Sequence, residues 1–280
     1  LGISFTDAYF ESISGITTTG STVLSGLDYM SRGVLLWRSM LQWIGGIGIV
    51  AFGIVLFPFL KIGGMQLFQT ESSDRSDKIL PQSRQLVGRL VLVYFLLSVF
   101  CFVTYFLLGM TFFDALNHAM TTLSTGGYST HDASFGYFHS SSMQIAATFF
   151  MFLGGVPFVL IVKYMFLGQF TFHKDKQVQG FFFIVLVATI VMASWLWING
   201  KYGLFDSVVL SSFNIVSVIT TTGYATVDYT LWGTFLIAVF FFLTYVGGCA
   251  GSTSGGVKIM RLQVVFLAMK QQINKLIYPN

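Results

Sequence analysis

Three short stretches of this 280-residue chain set threonine beside glycine at matching places: Ile16-Thr17-Thr18-Thr19-Gly20-Ser21, Leu123-Ser124-Thr125-Gly126-Gly127-Tyr128 and Ile219-Thr220-Thr221-Thr222-Gly223-Tyr224. One such cluster alone reads most simply as a turn or a tight helix contact. Three at corresponding places suggest ion chemistry. A cation entering a bilayer must exchange its hydration shell for oxygen dipoles, and rings of backbone carbonyls can supply them. Glycine reaches positive φ, so successive carbonyls can face one axis, while threonine adds hydroxyl oxygens and stiffens the extended backbone. Thr18, Thr19, Gly20, Thr125, Gly126, Gly127, Thr221, Thr222 and Gly223 are therefore the expected lining of a cation path.

A second polar, glycine-rich stretch interrupts the last apolar segment at residues 247–256. Gly247, Gly248, Gly251, Ser252, Thr253, Ser254, Gly255 and Gly256 make it too flexible and too polar to face lipid as regular helix. It is expected inside the protein, beneath the third Thr/Gly loop, acting as a gate; a helix contact built on small residues is the alternative. It is neither a phosphate-binding loop nor a nucleophile elbow, since Gly256-Val257-Lys258 lacks the adjacent Gly-Lys-Ser/Thr and Thr253 stands where serine is required.

Each Thr/Gly stretch follows an amphipathic segment opened by an aromatic residue and an aspartate: Phe5 with Asp7, Phe113 with Asp114, Phe205 with Asp206. Aspartate and glycine are 13 residues apart in the first two copies and 17 in the third, an excess of about one helical turn. These segments predict half-helices whose C-terminal, partly negative ends point at the membrane centre, which favours a cation. The aspartates fit the first turns of those helices better than they fit ion ligands.

The surroundings must be a membrane. The chain is 54% hydrophobic and only 9% charged, with a mean hydropathy of +0.75, against about 25% charged residues in soluble domains. Apolar runs at 34–57, 87–108, 143–167, 180–198 and 232–246, with helix resuming over 257–277, predict an all-α protein rather than a barrel. Residues 61–84 and 169–179 read as polar connections. Gly45, Gly46 and Gly48 give the first span a small-residue packing face. If each half-helix enters and returns on one side, twelve cations, among them Arg75, Lys78, Lys163, Lys174, Lys258 and Lys275, fall opposite the Thr/Gly loops. Only Arg32, Arg38 and Lys201 share the loops' side, so the positive-inside rule turns the loops outward from a cytoplasmic membrane. Arg38, four residues before Gln42, reads as an interfacial or inter-segment ion-pair residue rather than a voltage sensor. Cys101 and Cys249 read as buried thiols, and the four histidines lack metal-ligand spacing.

At these residues the chain resembles the Trk/Ktr/HKT superfamily of potassium transporters. The resemblance rests on Gly15 to Gly20, Trp37-Arg38 with Gln42-Trp43-Ile44-Gly45-Gly46, Gly64-Met65-Gln66-Leu67-Phe68 with Thr70-Glu71-Ser72, and Gly251 to Gly256. It implies a potassium-channel-like architecture of four membrane-pore-membrane repeats around a central ion pore, with Gly20, Gly127 and Gly223 as filter glycines and residues 247–256 as an intramembrane loop. Glycine in the first filter, where sodium-selective plant relatives carry serine, implies K+ (or Rb+) at the filter residues as the transported ion and no covalently bound cofactor. It also implies a homodimer in the lipid bilayer with a cytoplasmic nucleotide-binding regulatory ring, and no nucleic-acid partner. The repeats would be 1–60 without a first helix, 87–168 and 180–280, joined by cytoplasmic loops at 61–86 and 169–179. A fourth repeat is expected in a longer polypeptide. A secondary transporter with a broken-helix substrate site is the alternative; a membrane enzyme is not expected, since no acid, base, nucleophile or metal set converges.

Overall fold

The structure, a computed structural model, describes residues 2–60 and 79–277, with side chains over 2–51 and 85–277. The polar cluster from Glu71 to Lys78 and the Gly64 to Ser72 motif lie outside the described residues. Among the described residues the chain is helical without a strand. In order come α1 (Phe5–Ile16), α2 (Arg32–Leu60), α3 (Ile79–Leu107), α4 (Phe112–Leu123), α5 (Ser141–Gly154), α6 (Phe158–Leu167), α7 (Lys176–Ile198), α8 (Leu204–Ile219), α9 (Thr234–Leu243) and α10 (Ile259–Ile277).

The three half-helices are α1, α4 and α8. Ser4 accepts from the Asp7 amide at 3.1 Å and donates to the Asp7 carboxylate at 2.8 Å, and Thr111 does the same with Asp114 at 3.1 and 2.6 Å. These reciprocal bonds satisfy amides that the first turn leaves open and place the carboxylate at the positive helix end. Asp206 also sits in a first turn, that of α8, which starts after Gly203 without a side-chain cap. Helices α1 and α4 have 12 residues and α8 has 16, which accounts for the extra turn read from the spacing.

Segments Arg32–Ala51 of α2, Gln85–Leu107 of α3 and Lys176–Ile198 of α7 are each long and apolar enough to cross a membrane. The predicted continuous span 143–167 is instead two helices, α5 and α6, meeting at 94°. Pro157 has no amide to donate and Gly154-Gly155 supports helix poorly, so the chain turns there. Helix α3 starts at Ile79 rather than near 87, and α7 starts at Lys176, inside the stretch expected to be a connection. Asp175 caps α7 by accepting from the Gln177 and Val178 amides at 2.8 and 3.1 Å. Helix α9 is shorter than predicted: Gly233 precedes its first turn and the chain leaves helix after Leu243.

Packing follows chain order. Helix α2 lies on α1, then on α3 and α4; α5 lies on α4 and then on α8; α7 lies on α8. Each outer helix of one unit therefore supports the half-helix of the next. The small residues of α2 permit this: a Cβ on Gly45 would strike the Ile16 carbonyl, and one on Gly46 would meet Ser124 at 2.7 Å. Buried Tyr105, Phe135, Phe150 and Phe213 fill the space between the second and third units. Phe95, Phe100, Phe183, Ile190, Phe241 and Phe242 are exposed, an apolar belt that lipid covers and water would penalise. Beyond the Thr/Gly loops, short 3-10 turns gather at one end: the Leu27 amide donates to Asp132, and the Gly136 amide to the Ala225 carbonyl at 2.9 Å.

Candidate functional site

The three Thr/Gly loops repeat one backbone conformation. Thr18, Thr125 and Thr221 hold φ of 56°, 52° and 56°, and two residues on Gly20, Gly127 and Gly223 hold 79°, 73° and 82°. Left-handed threonine is strained, at roughly 1–2 kcal/mol per residue, so three equivalent instances mark a geometry the surroundings enforce. The same backbone bonds recur too. The Thr19 and Gly20 amides turn back to the Ser14 carbonyl, those of Gly126 and Gly127 to Thr121, and those of Thr222 and Gly223 to Ser217.

With the amides directed backwards onto the half-helices, the carbonyls are left over. Of the nine belonging to residues 18–20, 125–127 and 221–223, only that of Gly126 accepts a hydrogen bond among the described residues, from Gln42 Nε2 at 2.7 Å. Thr125, Gly126 and Thr222 are buried, and the other six residues are partly or fully open, so their carbonyls face accessible space. The loops stand side by side: a Cβ on Gly20 would collide with the Gly126 carbonyl and one on Gly127 with the Thr222 carbonyl. All nine predicted lining residues are thus brought together, in rotational order first, second, third, each at the C-terminal end of its half-helix.

A buried polar frame holds the first two loops from behind. Arg38, 3% exposed, pairs with Glu11 at 2.7 Å, donates to the Ser129 carbonyl at 3.3 Å and to Thr22 Oγ1 at 3.1 Å, and lies 4.0 Å over the Tyr128 ring. Glu11 also accepts from Thr22 Oγ1 and the Val23 amide. Gln42, fully buried, clamps the second loop from both sides of Gly127, since its Oε1 also takes the Tyr128 amide at 3.0 Å. Arg38 is thus the inter-segment ion-pair residue its position suggested. Glu11 was not legible as its partner, being one more acid in an amphipathic half-helix. His118 is a buried residue of α4 whose Nδ1 donates to the Asp114 carbonyl at 2.8 Å, which leaves Nε2 to accept from Ser129 Oγ at 3.0 Å.

Residues 247–256 lie directly beneath the second and third loops. The Gly255 amide donates to Thr221 Oγ1 at 2.7 Å, and Thr125 Oγ1 lies 3.3 Å from Thr253 Oγ1. The same segment satisfies the broken helix. The Thr253 amide and hydroxyl reach the Gly154 carbonyl at 3.2 and 3.0 Å, the Cys249 amide reaches that of Gly155 at 2.9 Å, and the Phe158 amide donates to Gly251 at 3.0 Å. Inside the segment Ser254 Oγ accepts from the Gly248 amide, Ser252 Oγ donates to the Cys249 carbonyl, and Lys258 Nζ donates to the Ser254 carbonyl. A cavity of about 680 Å³ opens beside it, lined by Ile16 to Thr19, by Ile44, Gly45, Gly48 and Ile49 of α2, by Thr221 and by Thr253 to Gly256. The segment therefore abuts the second and third loops while the cavity reaches the first.

Among the described residues no cluster of His, Cys, Asp and Glu has the makings of a metal site, and neither Cys101 nor Cys249, both buried, is in a disulfide. Among the 3-10 turns beyond the loops Asp28 meets His131 Nδ1 at 2.5 Å; that hydrogen bond, with a smaller one from the Asp132 amide, holds the Asp28 carboxyl below its usual range.

The family model described as "TrkH: Cation transport protein" matches residues 2–280. The chain belongs to the TrkH family. It is 44% identical over 279 residues to the Trk system potassium uptake protein TrkI of Halomonas elongata, covering 99% of this chain and 56% of that one. It is 37% identical over 284 residues to TrkG of Escherichia coli, covering 100% and 58%. The crystal structure of the potassium transporter TrkH from Vibrio parahaemolyticus superposes with a TM-score of 0.87 at 34% identity, over 99% of this chain and 57% of that one. The chain spans a little over half the length of the curated relatives it matches. It is an all-α integral membrane protein of membrane-pore-membrane units, in a family of transport proteins rather than enzymes.

Proposed function

We propose that the chain conducts potassium through a selectivity filter built from residues 18–20, 125–127 and 221–223. The observation that carries this is the set of eight loop carbonyls without a hydrogen-bond donor among the described residues, in three loops of one repeated backbone conformation, each at the negative end of a half-helix. A dehydrated cation is the partner such a set lacks. The names of relatives as potassium uptake proteins support K+ as that cation, with Rb+ as a working substitute and no further cofactor. Gly20 in the first loop agrees with potassium over sodium.

Residues 247–256 act as the gate beneath this filter, sealing the second and third loops through Thr253 and Gly255 while the cavity remains open to the first. The protein sits in the cytoplasmic membrane with the filters outward, by the charge asymmetry of its connections. Its units are 1–60, 87–168 and 180–280. It pairs as a homodimer and answers to a cytoplasmic TrkA-like nucleotide-binding ring. The bent pair α5–α6 and the break between α9 and α10 also suit a secondary transporter, which would show saturating, solute-coupled uptake without single-channel currents. The deciding experiment is a planar-bilayer recording of the full-length protein in opposed K+ and Na+ gradients. Currents reversing near the potassium potential are expected; equal passage of K+, Rb+ and Na+ would refute the filter.

A further inference from the structure

The residue after each filter glycine is Ser21, Tyr128 or Tyr224, and the two tyrosines do the same thing in successive units. Each sends its phenol across the boundary into the half-helix of the unit before. Tyr128, 2% exposed, reaches α1: its hydroxyl donates to the Glu11 carbonyl at 3.0 Å and lies 3.3 Å from that of Ser21. Tyr224, also 2% exposed, reaches α4: its hydroxyl lies 2.5 Å from Thr121 Oγ1 and 3.3 Å from Thr122 Oγ1. Each hydroxyl also has a backbone acceptor on α4, Thr121 the Asn117 carbonyl at 3.1 Å and Tyr224 the His118 carbonyl at 3.4 Å, so either can be the donor in the bond between them. Thr122 meets Tyr105 of α3 at 3.0 Å, which carries the chain of bonds out to a membrane-spanning helix.

The diversion of Thr121 shows what this arrangement displaces. In the first and third units the equivalent hydroxyl holds its own loop, Ser14 donating to the Ser21 carbonyl at 2.6 Å and Ser217 to the Tyr224 carbonyl at 2.7 Å. In the second unit Thr121 is engaged by Tyr224 instead, and Gln42 of α2 takes over the hold on the second loop. Every loop is thus tied backwards to its own half-helix or to α2, and the second and third are also pulled sideways onto the previous unit.

We propose that Tyr128 and Tyr224 are specificity-determining positioning residues, whose phenols hold adjacent filter loops at a fixed separation and so keep the carbonyls from closing around a smaller ion. This rests on the filter reading above. A sodium ion needs the oxygens closer than a potassium ion does. A loop anchored outward through a rigid ring resists that approach, whereas a loop held only by its own half-helix can follow it.

The test is the K+/Na+ flux ratio of the full-length protein in liposomes. A variant that is merely less stable carries less of both ions at an unchanged ratio, so the ratio separates positioning from folding. Tyr224→Phe keeps the ring and removes the bond; Thr121→Val removes it from the other side and Thr121→Ser retains it. Losing one buried hydrogen bond corresponds to a fall of roughly two- to tenfold in the ratio. That fall is expected in Tyr224→Phe and in Thr121→Val, with none in Thr121→Ser and no further fall in the Tyr224→Phe/Thr121→Val double variant. Should Tyr224→Phe fail to assemble, the Val and Ser variants at 121 decide alone. An unchanged ratio in Thr121→Val, or two losses that multiply, would overturn the brace. Gly223→Ser distinguishes the two ideas: if it lowers the ratio while Tyr224→Phe does not, only the brace fails; if it leaves the ratio unchanged, the filter itself is wrong.

Discussion

The Glu11–Arg38 pair offers the most quantitative test of how the first two loops are held. Both side chains are more than nine-tenths buried, 2.7 Å apart, and they link α1, α2 and the chain after the second Thr/Gly loop. Removing one member of a buried pair costs about 3–5 kcal/mol, because the other charge stays behind without compensation. In Arg38→Met the Glu11 carboxylate keeps the Thr22 hydroxyl and the Val23 amide, so the loss belongs at the lower end, about 3 kcal/mol. In Glu11→Leu the guanidinium keeps, among the described residues, the Ser129 carbonyl, Thr22 Oγ1 and the Tyr128 face, and the loss belongs higher, about 4 kcal/mol. At about 2–4 °C per kcal/mol, each variant should melt on the order of 10 °C below the parent. The assay is a thermal scan of detergent-solubilised protein at one fixed heating rate, since membrane proteins of this size commonly unfold irreversibly. The double variant buries no unpaired charge and should fall well short of the summed losses. A shift under about 2 °C in Arg38→Met, or strict additivity in the double variant, would refute the pair as the frame of the loops.

Three further outcomes are expected. Gly127→Ala forces a side chain into left-handed backbone and against the Thr222 carbonyl, so potassium flux should be abolished while the protein still inserts, as judged by vesicle uptake and surface labelling. Thr253→Val removes the hydroxyl reaching the Leu123 and Gly154 carbonyls, loosening residues 247–256; Rb+ uptake should become constitutive, and uptake as tightly regulated as the parent's would exclude this residue from the gate. Among the 3-10 turns beyond the loops the Asp28 carboxyl is depressed by His131, so its contribution is present above the ordinary carboxylate value of 3.8 and disappears as pH falls through the lower folded value. Asp28→Asn should therefore cost under about 1 kcal/mol at neutral pH, the group being largely solvent-screened, and nothing at the acid end; a larger loss measured across the pH series would contradict a surface tie.

Much of this protein was legible in its residues. Repetition of Thr and Gly after an amphipathic Asp-led segment announced three half-helices, because capping, the missing Cβ of glycine and a 3.6-residue period are local properties. Even the extra turn of α8 could be counted from the Asp206 to Gly223 spacing. The interruption of helix at 247–256 was legible for the same reason, since polar glycine-rich backbone cannot stay in lipid. The break at Gly154 to Pro157 was read through, although a glycine pair before proline could have marked it, because the apolar run continues unbroken on both sides. Only the tertiary structure supplied the partners: Glu11 for Arg38, Gln42 for the second loop, Thr121 for Tyr224, and the freed carbonyls of Gly154 and Gly155 for the segment nearly a hundred residues further on. Periodicity says which face a residue occupies, but a long-range hydrogen bond depends on how two helices come to rest, and that is decided by packing across the whole assembly.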